Sequence, residues 1–526
     1  MRPSLRTLAA VVAILGLSGP SSAADADLAT RDPGEAYRAT LESLGGEPIA
    51  LPAALARAFD TSPALGAARA QLAAAEGAAR RERGAFDPTL FAEAHVAEAD
   101  TPASSPFAGA DVLATREEGG SAGARMTLPI GTEIEARLES SRLTTNSEFA
   151  AYSPEYSANG TVTLRQPLLQ GFGIGTRGPL SRSENAVAAA RAQFEDARLA
   201  LEVDVTAAYW DLYAAERDLA VQRLLVERSA VFLNEATRKA EAGLVGPSEV
   251  ATARVFSTEQ RLAELDQEER LDVLSDRLGV LIGQSPADAR WHPVSDPGSL
   301  EDVDSEDALV ARALETNEAL RAARANLDAL RADASAARRN LLPSLDVIGT
   351  LGGNGLAGTG REISFGGDVT VVPDRGDRGE SVDQVLQRDY PTWSVGLELE
   401  LPLFLREGRG EADRASAEVK RAEDQVAELE RDIRADVRAR AREARNGSER
   451  LSLAREGLDA SLEQVRIGQI EYANGRTTAF ELVRLAADLA SAQERHSSAL
   501  VRTAKAAAEL RRLAPPPTAS TQGERE

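Results

Sequence analysis

The chain has no cysteine, and its 526 residues hold only three histidines and two methionines. Disulfide staples are excluded, as is lipid attachment through an N-terminal cysteine. A soft-metal centre lacks its ligands. Carboxylates alone can hold a hard cation, but no spaced cluster of them stands out, so no metal and no cofactor is expected. No nucleophile and base pair appears either, which leaves catalytic residues at none and points away from an enzyme. Long apolar runs are also missing. After Asp25 no stretch approaches the roughly 20 residues of a membrane-spanning helix, so insertion into a bilayer would have to use β-strands. Basic charge is in deficit, with 60 Lys and Arg against 83 Asp and Glu, a formal net charge of −23. That balance argues against nucleic acid, and against anionic lipid headgroups, as partners.

What is present begins with Arg2 and Arg6 ahead of an apolar run from Leu8 to Leu17, then the small residues Ser22, Ala23 and Ala24. This is the pattern of a secretory signal peptide over residues 1–24, with cleavage expected near Ala24. The apolar run is too short for a membrane anchor.

The chain also repeats itself. Ala58 to Leu72 aligns without gaps on Ala313 to Leu327, with nine of fifteen positions identical, and the same offset carries Pro88 onto Pro343 and Leu90 onto Leu345. Gln166-Pro167-Leu168 answers Leu401-Pro402-Leu403, and Gly243-Leu244-Val245 answers Gly475-Arg476-Thr477. Each half therefore reads helix, strands, long helix, turn, helix. The expected organisation is an N-terminal segment 25–50, a first repeat 51–282, a connector 283–305 broken by Pro286, Pro293 and Pro297, a second repeat 306–513, and a disordered tail 514–526.

Strand signals are of one kind. Tyr156, Ala158, Gly160, Val162 and Leu164 alternate with Ser157, Asn159, Thr161, Thr163 and Arg165, and Trp393, Val395, Leu397, Leu399 and Leu401 alternate with polar residues or glycine in the same way. A period of two over roughly 9 to 11 residues suits a strand between lipid and water. Leu90 to Val96 and Leu345 to Leu351 are weaker versions, and Ala122 to Leu128 with Glu133 to Glu139 reads as a hairpin turning around residues 129–132. Aromatic residues near strand ends (Phe86, Phe149, Tyr152, Tyr156, Phe172, Tyr390, Trp393 and Phe404) fit interfacial girdles.

The helical segments have coiled-coil spacing: Val205, Ala208, Leu212, Ala215, Leu219 and Val226 in the first half, Val419, Ala422, Val426, Leu429 and Ile433 in the second. Ser181 to Glu241 contains neither proline nor glycine and predicts one helix of about 60 residues, or about 90 Å. Gly173-Ile174-Gly175-Thr176-Arg177-Gly178 matches the dinucleotide fingerprint, but the strand before it alternates instead of being apolar throughout, as a buried parallel strand would be. The glycines are better explained as backbone freedom where strand swings into helix.

Two helical turns carry the rest. Ala242-Gly243-Leu244-Val245 is followed by Glu249, and Tyr472-Ala473-Asn474-Gly475-Arg476-Thr477-Thr478 by Glu481, each acid six positions after its glycine. With the Pro-Leu corners at Pro167 and Pro402, these motifs make the chain resemble the TolC family of outer-membrane efflux proteins from about Leu51 to Leu513.

The resemblance implies a mainly α fold with transmembrane β. It would be a two-repeat protomer of a homotrimer whose strands pool into one outer-membrane β-barrel, continued by a long periplasmic α-helical coiled-coil barrel. It implies an outer-membrane exit duct of a tripartite efflux or type I secretion system, passively conducting what an inner-membrane pump and a periplasmic adaptor hand over. Gly243, Leu244 and Val245, with Gly475, Arg476, Thr477 and Thr478, would be the adaptor-docking tips. Glu481, Tyr472, Arg476, Glu249 and Arg484 would form the periplasmic gate.

Three departures stand out. Arg484 replaces the family's second gate aspartate, and the family's tip arginine falls on Thr477, with Arg476 one place earlier, so the gate's ion pairing is expected to be rewired. Pro88 to Pro167 is also twenty positions longer than Pro343 to Pro402. The hairpin of residues 122–139 around Gly131 is about the size of that excess: if it joins the barrel, as its alternation favours, a trimer has eighteen strands against the family's twelve, and otherwise it folds over the mouth or outside. The competing reading is a periplasmic coiled-coil adaptor or scaffold without a pore. Two equivalent halves with strands of lipid-facing pattern favour the channel.

Overall fold

The structure, a computed structural model, describes residues 33–104, 108–284, 290–295, 304–365, 368–474 and 476–516. The expected signal peptide and residues 517–526 of the expected tail lie outside the described residues, as does much of the connector. In chain order the first half contains α1 (Pro33–Ser43), β1 (Glu47–Ile49), α2 (Leu51–Thr61), α3 (Pro63–Arg83), β2 (Thr89–Pro102), β3 (Val112–Thr127), β4 (Glu133–Thr145), β5 (Tyr152–Pro167), α4 (Ile174–Glu241) and α5 (Pro247–Leu281). Then follow β6 (Trp291–Pro293), α6 (Glu306–Thr316), α7 (Glu318–Asn340), β7 (Ser344–Gly360), β8 (Glu362–Phe365), β9 (Asp368–Val371), α8 (Arg378–Gln387), β10 (Tyr390–Glu400), α9 (Arg406–Ala473) and α10 (Ala479–Leu513). The duplication is literal in length: α4 and α9 have 68 residues each, α5 and α10 have 35 each.

Two compact units form, and each draws on both halves: residues 67–195 with 318–431, and residues up to 66 with 196–317 and from 432 onward. The first unit holds a six-stranded antiparallel sheet in the order β10-β7-β5-β4-β3-β2. The hairpin expected around Gly131 is β3 and β4 of this one sheet, and both strands are longer than the sequence suggested. Gly131 takes a φ of +92° in the turn, a conformation open to glycine at little cost. The bond from Leu128 N to Thr132 O, 2.8 Å, closes it.

The glycine-rich corner after β5 has a packing reason. Gly171 and Gly173 hold positive φ where the chain leaves the strand. In α4, a Cβ on Gly178 would fall 2.3 Å from the Ala336 Cβ, so glycine lets α4 lie close against α7. Among the expected girdle residues Tyr152 is a correction: it is buried against Gly358 of β7, because a cross-strand neighbour without a side chain leaves room for the ring.

The second unit is helical. Val205, Ala208, Leu212, Ala215 and Leu219 of α4 are buried as their spacing requires, together with Tyr209. Of the matching stripe in α9 only Ile433 belongs to this unit, and it is buried; in the first unit Ala422 is buried and Val419, Val426 and Leu429 are half-buried. A short parallel pair, β1 with β6, was not foreseen. Trp291 on β6 is buried and its backbone N–H donates to Ser275 Oγ at 2.9 Å. Neither strand offers a pattern long enough to read.

The helix α8, also unforeseen, packs on β5 and β7 where these strands carry glycine. A Cβ on Gly355 would fall 1.8 Å from the Ser381 carbonyl oxygen, and one on Gly160 would fall 2.5 Å from Val385 Cγ1. Gly355→Leu is therefore expected to lift α8 off the sheet. Hydrogen exchange should show residues 378–387 losing amide protection while β7 and β5 keep theirs.

Candidate functional site

The sheet is the first functional surface. Residues directly paired across antiparallel strands share a face, so the register assigns every side chain. One row runs Trp393, Leu351, Val162, Ala136, Ala124, Leu90 across all six strands. The adjacent row on the other face runs Ser394, Thr350, Thr163, Glu135, Arg125, Thr89. Over these rows one face is apolar and the other polar, which is what a wall between lipid and water requires. On the polar face Arg165 bonds Asp346 (Nε to Oδ2, 2.8 Å) and reaches Glu398 at 3.1 Å. Away from α8 the apolar face lies bare: Trp393 is 76% exposed and Leu397 74%. Such a surface needs lipid against it.

The second surface is the pair of hairpin tips. Between α4 and α5, Gly243 has a φ of +72°, and the bonds from Gly243 N to Ala240 O and from Leu244 N to Lys239 O close the helix end. Leu244 projects into solvent, 74% exposed, beside half-buried Val245. Glu249 is an exposed acid in the first turn of α5. Between α9 and α10, Gly475 lies outside the described residues. Arg476 is exposed, Thr477 half-buried, and Thr478 caps α10 by accepting from Glu481 N at 3.3 Å.

The expected gate residues divide between two partners. Glu481 is held by Arg484 one turn later on its own helix, with Nε to Oε2 at 3.1 Å. The arginine that replaces an expected acid is thus this acid's counterion, and their pairing favours the charged guanidinium. Tyr472 donates its hydroxyl to Glu235 of α4, which Lys239 also pairs at 2.5 Å. Burial, then the bond to Glu235, raises the Tyr472 pKa. Phe232, Ala236, Ala253 and Val483 pack beneath, with Tyr472 against them. Nothing in the sequence marks Glu235 as this partner, because it is one acid among many on an exposed-looking helix turn.

The family model for outer membrane efflux proteins matches residues 54–284 and 309–514. The chain belongs to that family. Its members are channels of the outer membrane, and this efflux protein is accordingly an outer-membrane protein whose helical domain is periplasmic. The fold is similar to the outer-membrane channel OprN, at 16% identity and a TM-score of 0.60 over 97% of this chain and 98% of that one. It is also similar to VceC from Vibrio cholerae, at 15% identity and TM-score 0.59 over 88% and 95%. CmeC from Campylobacter jejuni matches at 15% identity and TM-score 0.59 over 88% and 85%. No curated protein matches. Among the described residues no helix is long and apolar enough to cross a membrane, and no group of three or more His, Cys, Asp or Glu could hold a metal ion.

The efflux protein's helices carry buried charge that sequence reasoning missed. Glu216 is fully buried, with His292 Nδ1 at 3.1 Å from both carboxylate oxygens; burial raises its pKa and the histidine opposes the rise. Asp218 accepts from Ser497 Oγ at 2.6 Å across α4 and α10, and burial pushes its pKa up to about 6. Because the folded carboxyl binds its proton more tightly than the unfolded one, its contribution to stability is complete below about pH 4 and is lost as pH rises through about 6. Asp218→Asn, neutral at every pH, should melt higher than the parent at pH 8, by an amount equivalent to about 1–3 kcal/mol. The difference should vanish near pH 4 when helical circular dichroism is followed against temperature.

Proposed function

We propose that the protein is the passive exit duct of a tripartite efflux or type I secretion system, assembled as a homotrimer and supplied by an inner-membrane pump through a periplasmic adaptor. The observation that carries this reading is the six-stranded sheet with one lipid-compatible face and two edge strands, β2 and β10, that have no outer neighbour among the described residues. An open edge in hydrocarbon leaves backbone groups without partners, so the edges must meet those of other copies. Three protomers then contribute eighteen strands, a size at which a barrel encloses an aqueous channel.

The helices support the same assembly. Val255, Leu262, Val273 and Val280 of α5 are each about 60% exposed and recur at near-integral numbers of turns, so they form one bare apolar stripe. A second copy is the occupant that an apolar stripe on a coiled-coil helix fits best. The expected organisation in two repeats, 51–282 and 306–513, belongs to this proposal too, as does docking of the adaptor at Gly243, Leu244, Val245, Gly475, Arg476, Thr477 and Thr478. The mature protein should fractionate with the outer membrane and run as a trimer in mild detergent. Val273→Asp should lower the temperature at which that trimer dissociates. Recovery of the parent as a soluble periplasmic monomer would remove the duct reading.

The gate is the finer part of the proposal. The Tyr472 bond to Glu235 ties the second hairpin to the first within a protomer, and Arg476, exposed at the tip, is free to reach the next. Three copies of Glu481 around an axis would crowd like charges, which Arg484 relieves at each. Tyr472→Phe with Arg476→Ser should raise single-channel conductance in planar bilayers. Glu481→Ala should weaken cation selectivity and block by multivalent cations; unchanged selectivity and block would reduce Glu481 to a first-turn acid stabilising its helix.

A further inference from the structure

We propose that the cleft between α1 and the helices α4, α9 and α10 binds a small apolar carboxylate, whose charge is met by Arg228. All its walls belong to the helical unit of one chain. The cleft has a volume of about 240 Å³, and Ala36, Leu224, Val231, Phe232, Leu482 and Val483 make it largely apolar. A dry apolar cavity of about 150 Å³ takes benzene, so this one has room for a ligand of roughly nine or ten non-hydrogen atoms.

Arg228 is the misfit in that wall. It is half-buried, and its guanidinium is withdrawn from water far enough that burial lowers its pKa. Its one polar partner among the described residues is the fully buried Gln469, whose amide oxygen, turned toward it, accepts from Nη1 at 3.2 Å and from Nη2 at 3.1 Å. An amide takes hydrogen bonds but brings no charge. The other polar groups of the wall bring none to the arginine either. Thr40 and Ser43 direct their hydroxyl protons to carbonyl oxygens of α1, and Tyr472 donates to Glu235, which Lys239 also pairs. Glu227 is the single acid that acts on Arg228; it is exposed, forms no ion pair with it and is screened by solvent. The site as a whole is therefore neutral, but the charge inside it is positive and that outside is negative. A guanidinium held out of water without a counter-charge is costly, and a carboxylate that enters beside it offsets the cost. Gln469 takes two of its five N–H donors, and the rest are enough for the paired bonds a carboxylate accepts. Arg228 is on α4 and Gln469 on α9, the helices that Tyr472 already ties together, so on the duct reading a bound ligand fastens them again and holds the tips closed.

The test is ligand-observed NMR on the purified protein in detergent, with benzoate and its uncharged match benzamide as probes. Benzoate should bind at least about tenfold more tightly than benzamide. Arg228→Met, apolar and similar in length, should abolish that preference. Ala36→Phe, which fills the cleft from α1 and leaves the arginine in place, should abolish benzoate binding while the helical melting curve is retained. Equal binding of the two probes by the parent, an unchanged preference in Arg228→Met, or full benzoate binding by Ala36→Phe would overturn the proposal. If Arg228→Met does not fold, the parent's preference and Ala36→Phe decide. In planar bilayers at fixed ionic strength, benzoate should lower the conductance of the parent and leave that of Arg228→Met unchanged; bound benzoate without that effect would overturn the clamp on the tips. A parent that forms no channel would fault the duct reading, while the NMR comparison would still decide the site.

Discussion

Backbone amides and carbonyls find no water in the hydrocarbon of a membrane, and the efflux protein answers that constraint with strands instead of helices. Inside one chain β10, β7, β5, β4, β3 and β2 satisfy each other along every shared edge. The two outer edges remain, and they make assembly a condition of insertion. The alternation of side chains follows from the same constraint, because a strand with lipid on one side and water on the other must change polarity at every residue. So does the placing of glycine. Where α8 covers the outer face, Gly160, Gly353 and Gly355 stand in positions that carry leucine or valine elsewhere on these strands.

The helical unit solves a different problem, holding long helices together along their length. Large side chains, Tyr209, Leu212 and Leu219 of α4 among them, alternate with alanine at its buried positions. Ion pairs fix how α10 lies along α4: Arg512 meets Asp196 at 3.2 Å and Lys505 meets Asp211 at 2.9 Å. Such half-exposed pairs add little stability, but they discriminate register, which an alanine seam cannot do alone. The buried acids Glu216 and Asp218 add a cost that grows with pH, a strain located in the helices and away from the wall.

At the tips the same economy ties hairpin to hairpin. Tyr472 spans from α9 to α4, and its hydroxyl needs an acceptor once the ring is packed among Phe232, Ala236 and Val483. Arg484, an oddity when the sequence is compared with its family, becomes intelligible as the partner of Glu481 three residues earlier. That pairing was within reach of the sequence, since a separation of three on a helix brings side chains together. The Glu235 pairing was not, because it joins positions 237 apart.

The sequence by itself determined whatever is periodic or local. Duplicated helices, the alternating strands, the glycine and proline corners, the extra hairpin at Gly131 and the tip motifs are all patterns of nearest neighbours along the chain, and each appears in the structure where it is described. Only the tertiary structure decided the strand order that sets β7 beside β5, the seating of α8 over three glycines, the docking of β1 on β6, and the partners of Tyr472, Asp218 and Glu216. Those depend on loop closures across tens to hundreds of residues. Their geometry is set by which surfaces fit, and a run of alanine, glycine and charged residues leaves that choice open until the chain has folded.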